Sequence, residues 1–269
     1  MKIKYLIIIL ASLSLNAFAE TPTDDTPPCE ADKPLPQGYR YATTTSDCVY
    51  NENLTPVIKD GLYGYANNQG KIKIPTKYQL ADGFDDGLAL VKLKNKYGFI
   101  NAQGKLVIKA RYDDAWGFSD KRAKVVKNGK ISLIDTQGKT LKTPKISDSD
   151  NWYSDGLLAV KSGEQGKQNG KWGYLDTQGK VAIDFAYDKA DGFSEGLANV
   201  GKLDEKGVLH YGYIDRQGTQ VIPLTYTTPS AFMNGVANVV NDKGKFILID
   251  SQGKPTTPKE TANQQKENP

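Results

Sequence analysis

The stretch GFSEG, residues 192–196, has the Gly-x-Ser-x-Gly pattern that presents a nucleophilic serine on a sharp turn in many hydrolases. A serine in that role needs a histidine to accept its proton and an acid to orient the histidine. The chain contains a single histidine, His210. A catalytic role for Ser194 therefore requires a turn that occurs once in the chain and lies beside His210.

The segment around Ser194 is one of five copies of a motif. Aspartate replaces the serine in the first copy, whereas the phenylalanine before it persists in four of the copies. An interchangeable serine beside a retained aromatic residue indicates a packing element, so we predict that Ser194 is structural, that the chain has no catalytic residues and that it is not an enzyme. The copies read GFDDGLALV, GFSDKRAKV, WYSDGLLAV, GFSEGLANV and AFMNGVANV.

A second motif, built around a Gln-Gly pair, recurs six times. Its glycines are separated by 34, 34, 41, 39 and 35 residues, the differences between successive positions in the series Gly70, Gly104, Gly138, Gly179, Gly218 and Gly253. Regular self-similarity at this spacing is the signature of repeat architectures. The chain is therefore predicted to consist of tandem repeats.

Residues 172–200 illustrate the predicted repeat. An alternating strand begins at Trp172, Asp176–Gly179 forms a hairpin turn, and a return strand carries Val181 and Ile183. A crossing segment then leads to a third short strand, LANV. Because three short strands cannot bury their own apolar face, the repeats must stack. We expect an all-β fold in which three-stranded hairpin repeats form an elongated, solenoid-like array, with a closed propeller-like ring as the alternative.

Most copies place a glycine directly after the first aromatic residue of the repeat. A glycine within a strand often marks a bulge, and it lets a neighbouring ring lie against bare backbone. The third and sixth copies have Ser132 and Ile247 at this position instead. Those two repeats are expected to be flatter or less tightly packed.

The N-terminus has the features of an export signal. Two lysines precede an apolar run, and Ala17-Phe18-Ala19 supplies the pattern that a signal peptidase recognises. We expect residues 1–19 to be removed by cleavage between Ala19 and Glu20, with the periplasm or the outside of the cell as the destination. Of 35 basic and 31 acidic residues, this removal leaves 33 and 31. That near balance favours neither nucleic acid nor a membrane surface as a partner.

The remaining segments complete the predicted domain organisation. Residues 20–28 form a flexible lead and residues 259–269 a disordered tail, because both are polar and poor in apolar residues. Residues 29–60 are expected to form an N-terminal cap, with completion of the last repeat, as in a closed propeller, as the alternative. Cys29 and Cys48 are expected to pair as a disulfide in an oxidising compartment. The repeat domain itself spans residues 61–258. Neither metal-ligand spacing nor a phosphate-binding glycine loop is found, so no metal or cofactor is expected.

The motifs together resemble a known family. Each full repeat contains aromatic-Gly-aromatic-Ile-Asp, Gln-Gly-Lys, an apolar return strand, Tyr-Asp and Phe-Ser-x-Gly-Leu-Ala-x-Val, or close variants. This order resembles the WG (also KWG) β-repeat proteins of bacteria, with Lys171-Trp172-Gly173 as the most similar unit. The resemblance covers about residues 60–255. It implies an all-β scaffold that is commonly exported and that shares no catalytic residues.

The departures from the regular spacing are the best candidates for binding. Extra residues fall in 161–171 and 201–212, both of which join the third strand of one repeat to the next repeat. Insertions that emerge on one face of a repeat protein often mark its binding side, although tolerated surface loops are the alternative. Two aromatic segments are further candidates, with core packing as the alternative. The candidate residues are Trp116, Trp152, Tyr153, Glu164, Gln165, Gln168, Asp204, Glu205 and His210.

Two functions are compatible with these features. The first is an exported, non-catalytic binding protein that recognises a protein partner, for instance as an immunity or inhibitor protein against a toxin that acts in the periplasm. The second is an envelope module that binds carbohydrate or peptidoglycan through exposed aromatic rings.

Overall fold

A computed structural model of the chain describes residues 34–42, 53–164 and 170–257. In these ranges the chain forms 21 β-strands and no helix, so none is long and apolar enough to cross a membrane. The predicted signal peptide, the predicted flexible lead, the predicted Cys29–Cys48 disulfide and the predicted disordered tail lie outside the described residues. The all-β prediction is confirmed.

The strands form five antiparallel sheets in chain order, none of which closes on itself. The first is β1 (Arg40–Tyr41), β2 (Leu54–Lys59), β3 (Leu62–Asn67) and β4 (Ile72–Tyr78). The second is β5 (Leu80–Asp85), β6 (Leu88–Leu93), β7 (Lys96–Ile100) and β8 (Leu106–Tyr112). The third has only β9 (Asp114–Ala115), β10 (Arg122–Lys127) and β11 (Lys130–Asp135).

The remaining sheets follow the same strand order. The fourth is β12 (Ile146–Ser149), β13 (Leu157–Ser162), β14 (Trp172–Asp176) and β15 (Val181–Tyr187). The last joins two units: β16 (Lys189–Ala190), β17 (Leu197–Leu203), β18 (Leu209–Asp215), β19 (Gln220–Thr228), β20 (Val236–Asn241) and β21 (Phe246–Asp250). Since β2 pairs with β3, residues 54–59 complete the first sheet, and no strand pairing among the described residues links the last sheet to the first.

A regular unit has four strands where three were predicted. The crossing segment contributes the additional strand, because two of its residues pair with the strand that follows: Lys189 lies opposite Gly201, and Ala190 opposite Val200. This pairing is too short to leave a periodic signal in the sequence. Residues 187–196 contain no helical turn.

The Gln-Gly motif builds the predicted hairpin turn. In the turn between β14 and β15, the Gly179 N–H donates to the Asp176 carbonyl at 2.9 Å, and Gly179 has a φ of +80° that favours glycine. The Asp176 carboxylate accepts hydrogen bonds from the N–H groups of Gln178 and Lys180. An Asp or Asn at this position therefore fixes the turn through its own side chain.

The glycine after the first aromatic residue makes room for the return strand. β15 bulges opposite Gly173, and a Cβ on Gly173 would lie 2.6 Å from the Ile183 carbonyl oxygen. The predicted bulge is therefore present, but the group that approaches the glycine is the backbone of the return strand and not a ring. The equivalent glycines Gly64, Gly98 and Gly212 also face an isoleucine carbonyl.

A buried isoleucine anchors each return strand. It lies four residues after the turn glycine, and the next repeat's turn glycine packs against it, as Gly218 does on Ile183. Burying such a side chain stabilises the fold by roughly 2 kcal/mol. The four isoleucines of this kind are Ile74, Ile108, Ile183 and Ile222, each less than a tenth exposed.

The third and sixth repeats lack a return strand in the described residues. Both lack the strand glycine, having Ser132 and Ile247, and both replace the anchoring isoleucine with a polar residue, Lys142 and Thr257. Without room for the bulge and without an apolar anchor, the segment after the turn does not pair along its length. In the third repeat, this segment makes two backbone hydrogen bonds with β11, from the Asp135 N–H to the Lys139 carbonyl and from the Leu141 N–H to the Leu133 carbonyl.

The core lies between successive sheets. Tyr174 of the fourth sheet packs against Phe193, which lies between β16 and β17 of the last sheet, with ring centroids 5.0 Å apart, and the Tyr174 hydroxyl donates to the Asp191 carbonyl at 2.8 Å. Burial strongly raises the pKa of the Tyr174 hydroxyl, with the nearby Asp191 adding to the effect. The same aromatic pair recurs as Tyr65–Phe84, Phe99–Phe118 and Tyr213–Phe232.

Candidate binding groove

Ser194 makes a structural hydrogen bond between repeats. Its hydroxyl donates to the carbonyl oxygen of Phe232, the core aromatic residue of the next unit, at 2.7 Å. His210 instead lies 3.1 Å from the Asp204 carboxylate, across the hairpin between β17 and β18. The backbone N–H of Val208, together with His210, lowers the pKa of the Asp204 carboxyl. Ser194 and His210 thus have separate partners, and the nucleophile interpretation has no geometric support.

Replacing Ser194 with alanine should lower the free energy of unfolding by about 1 kcal/mol, because a partly buried hydrogen bond is lost. Ser154 occupies the equivalent slot one repeat earlier, but its buried hydroxyl has no hydrogen-bond partner within the described chain. Ser154→Ala is the matched control and should change stability by less than about 0.5 kcal/mol. Urea denaturation of both variants measures the difference, and equal losses would contradict the assigned role of Ser194.

Acidic side chains continue this link from repeat to repeat. Each lies directly after the serine slot and accepts a hydrogen bond from backbone N–H groups in the same turn of the next unit. The four pairs are Asp86 with Lys121 at 2.7 Å, Asp120 with Gly156 at 3.2 Å, Asp155 with Gly196 at 3.0 Å, and Glu195 with Asn234 and Gly235 at 2.7 and 2.8 Å. The clustered acids of the motif therefore hold the units in register.

The surface of the residues that the structure describes has a groove of about 410 Å³ at the third repeat, where the return strand is missing. One wall is the hairpin of β10 and β11, residues 128–132, and the other is the segment 140–146 with Gly163 and Glu164. The groove thus opens beside the predicted insertion 161–171. Its volume is within the usual range for ligand pockets.

The charged side chains that line the groove are mainly basic. They are Lys130, Lys142, Lys145 and Glu164, and the Glu164 carboxylate lies 2.8 Å from the Lys145 ammonium. This ion pair raises the pKa of Lys145. Because both side chains are well exposed, the pair adds little to stability. The wall therefore has a net positive charge.

Apolar residues form the base of the groove. Leu141 and Ile146 are half-buried and pack against the core cluster that contains Leu133 and Tyr153. Ile131 and Pro144 also line the groove. A ligand at this site would therefore meet an apolar base with lysines around it.

β11 has a free edge at the groove. In the three four-stranded sheets the equivalent strand is paired on both sides, whereas β11, in the three-stranded sheet, pairs only with β10 among the described strands. Because alternate residues of a strand point their backbone groups to opposite sides, the N–H and C=O of Ile131 face away from β10. No other described residue hydrogen-bonds to them.

A family model for the WG containing repeat matches four segments, residues 63–97, 97–130, 172–206 and 211–247. These matches cover more than half of the chain. The chain belongs to the WG repeat family. The matched segments leave out residues 131–171, which include β11 except for Lys130, the segment 140–146 and the first insertion. The groove therefore lies where the WG pattern is interrupted.

No curated protein matches the WG repeat chain. Among solved structures, it is similar to the computationally designed Ika8 protein, with 13% identity, 76% of this chain and 70% of the other covered, and a TM-score of 0.43. It is also similar to Hsv2 of Kluyveromyces marxianus, at 11% identity, 76% and 71% coverage and a TM-score of 0.45. A third similar structure is the WD40 domain of Neurospora crassa Pan2, with 13% identity, 74% of this chain and 72% of the other covered, and a TM-score of 0.33.

The predicted binding residues are scattered over the WG repeats. Among the predicted binding residues that the structure describes, only Glu164 lines the groove. Gln165 and Gln168 lie outside the described residues. Asp204 and Glu205 are exposed at the turn of the second insertion, which forms the extended hairpin of β17 and β18. His210 is half-buried on that hairpin.

The aromatic candidates differ in their exposure. Trp152 is 57% exposed, whereas Tyr153 is buried in the core and donates its hydroxyl to the Asp176 carbonyl at 3.2 Å. Trp116 is half-buried, because its ring packs on the Lys124 ammonium at 4.1 Å from the centroid. Lys124 itself is buried, which lowers its pKa, and it donates to the Ser149 carbonyl at 2.9 Å. Of the three rings, Trp152 is the accessible one.

The lysines and the free edge of the groove were not predicted. Ser132 was noted as a departure from the aromatic-Gly pattern, but its consequence depends on Lys142, ten residues later. A comparison of the residue four positions after each turn glycine would have shown that Lys142 replaces the anchoring isoleucine. Elsewhere in the described chain, no group of three or more His, Cys, Asp or Glu side chains could hold a metal ion.

Proposed function

We propose that this WG repeat protein is an exported binding protein without catalytic activity, and that it recognises a protein partner through the groove of the third repeat. The observation that carries the proposal is the missing return strand, which leaves an apolar base, a basic wall and a free strand edge at one place. Exposed strand edges are normally covered or blunted, since they readily pair with other chains.

An immunity or inhibitor protein against a periplasm-acting toxin is the specific form that we propose. A repeat scaffold suits that task because its surface residues can vary while the core pattern is kept. The leader-like N-terminus would deliver the chain to the compartment where such a toxin acts.

Site-specific crosslinking tests the proposed function. A photoreactive amino acid at Lys142 is expected to capture one defined protein when cells of the native host are irradiated, and the same probe at Lys73, an exposed lysine of the first sheet, is the control. The captured protein is then purified and its binding to the WG repeat protein is measured directly. Capture of the same proteins from both positions, or of none from Lys142, would contradict the proposal.

The proposed export can be tested separately from the proposed binding. The protein isolated from the native host should be found in the periplasmic or secreted fraction with Glu20 as its first residue, as determined by intact mass. An N-terminus at Met1 in the cytoplasmic fraction would exclude the exported form of the proposed function.

The exposed ring of Trp152 favours a second candidate, the envelope module that binds carbohydrate or peptidoglycan. Aromatic side chains at binding sites supply large contact areas. If the protein is such an envelope module, it should sediment with purified cell wall, and Trp152→Ala should abolish the sedimentation. Trp116→Ala is the control, because that ring is engaged by Lys124.

A further inference from the structure

The groove leaves a defined gap in a hydrogen-bond ladder. In the second and fourth units, the residue equivalent to Ile131 pairs with a tyrosine of the return strand: Tyr97 with Tyr112, and Trp172 with Tyr187. At the third unit, the Leu141 N–H engages the Leu133 carbonyl and the ladder stops there. The edge of β11 beyond Leu133 is therefore free to accept a strand from outside.

The surroundings of this edge specify the chemistry of that strand. Because side chains alternate along a strand, one face of an incoming segment would meet the apolar base and the other would project toward the lysines. Leu141 and Ile146 would contact apolar side chains. Lys130 and Lys142 would face carboxylates, since the one acidic residue of the wall, Glu164, already pairs with Lys145.

We infer that the partner inserts an extended segment of alternating apolar and acidic residues, which pairs with the edge of β11 and takes the position of the missing return strand. This inference rests on the proposed function and deepens it. Main-chain hydrogen bonds to Ile131 provide affinity, whereas the lysines and the apolar base select the sequence. The third repeat is thus a unit that another chain completes.

A synthetic peptide provides the first test. A fluorescein-labelled octapeptide of alternating valine and glutamate should bind the purified mature protein in a fluorescence anisotropy titration. The peptide with lysine in place of glutamate should bind about tenfold more weakly, because several exposed charge pairs become repulsive. A third peptide, N-methylated on alternate amides of its pairing edge, should lose binding because it cannot donate to the ladder.

Variants of the protein provide the second test. Ser132→Gly with Lys142→Ile restores the strand glycine and the anchoring isoleucine of the regular repeat, so the protein's own segment should occupy the edge and peptide binding should be lost. Lys142→Gln removes the same charge without the anchor and should weaken binding only a few-fold. Lys73→Ile makes the same substitution on the first sheet and should leave binding unchanged.

The outcomes separate this inference from the proposed function. Equal binding of the N-methylated and parent peptides, or full binding to the Ser132→Gly/Lys142→Ile variant, would overturn strand addition. If the crosslinked partner binds the protein but none of the peptides does, strand addition is also overturned. The proposed function stands in that case. A self-association that the double variant abolishes would assign the edge to a second copy of the chain, and would also overturn the inference. Binding confined to the acidic peptide, with Ile131 newly protected from hydrogen exchange, supports it.

Discussion

Gly173→Ala is expected to lower the free energy of unfolding by about 3 kcal/mol, which is a large share of the stability of a typical domain. The added Cβ would lie 2.6 Å from the Ile183 carbonyl oxygen and 2.9 Å from backbone atoms of Asp184. Backbone cannot rotate away as a side chain can, so the return strand must shift. Chemical denaturation monitored by intrinsic fluorescence measures the loss.

Gly83→Ala is the matched control for this prediction. Gly83 also lies in a strand, but an added Cβ would meet no atom within 4 Å. The control should therefore change the free energy of unfolding by less than about 0.5 kcal/mol. Similar losses in both variants would show that glycine at position 173 matters for some reason other than the close approach of the return strand.

Ile183→Lys is expected to have the largest effect, about 4 kcal/mol or more, because it places a charge where the fourth repeat buries its anchor. Ile183 is 7% exposed, and the turn glycine of the next repeat, Gly218, packs against it. The substitution reproduces the natural state of the third repeat, where Lys142 has this position. We expect the return strand β15 to detach and its amides to lose protection from hydrogen exchange.

Val181→Lys tests whether the loss of stability in Ile183→Lys comes from the burial of position 183 or from any lysine added to β15. Val181 belongs to the same strand and is 41% exposed, so a lysine there can remain in solvent. The expected cost is less than about 1 kcal/mol. If Val181→Lys destabilised the protein as much as Ile183→Lys, the anchoring role of the buried isoleucine would be wrong.

The repeat pattern predicted much of this fold. The Gln-Gly spacing located the hairpins, and the retained aromatic residues located the core, because both are local features that recur in the sequence. The sequence also showed that the third and sixth repeats depart from the regular repeat pattern, because Ser132 and Ile247 replace the strand glycine. These are the two repeats whose return strands are missing from the described structure.

Other features depend on contacts that the sequence pattern does not contain. The short strand β16 exists because Lys189 and Ala190 pair with β17, and a two-residue pairing has no period. Tyr153, a predicted binding residue, follows the exposed Trp152 but lies in the core. The groove itself requires Ser132, Lys142 and Glu164 to be brought together by the stacking of two units.

Hydrogen exchange of individual backbone amides, measured by NMR on the free protein, tests the free edge most directly. The Ile131 amide is expected to exchange rapidly, whereas its equivalents Tyr97 and Trp172, which pair with return strands, should be protected to near the level of global unfolding. Slow exchange at Ile131, equal to that of Tyr97 and Trp172, would show that the edge of β11 is already covered, and the binding groove would have no open ladder to offer a partner.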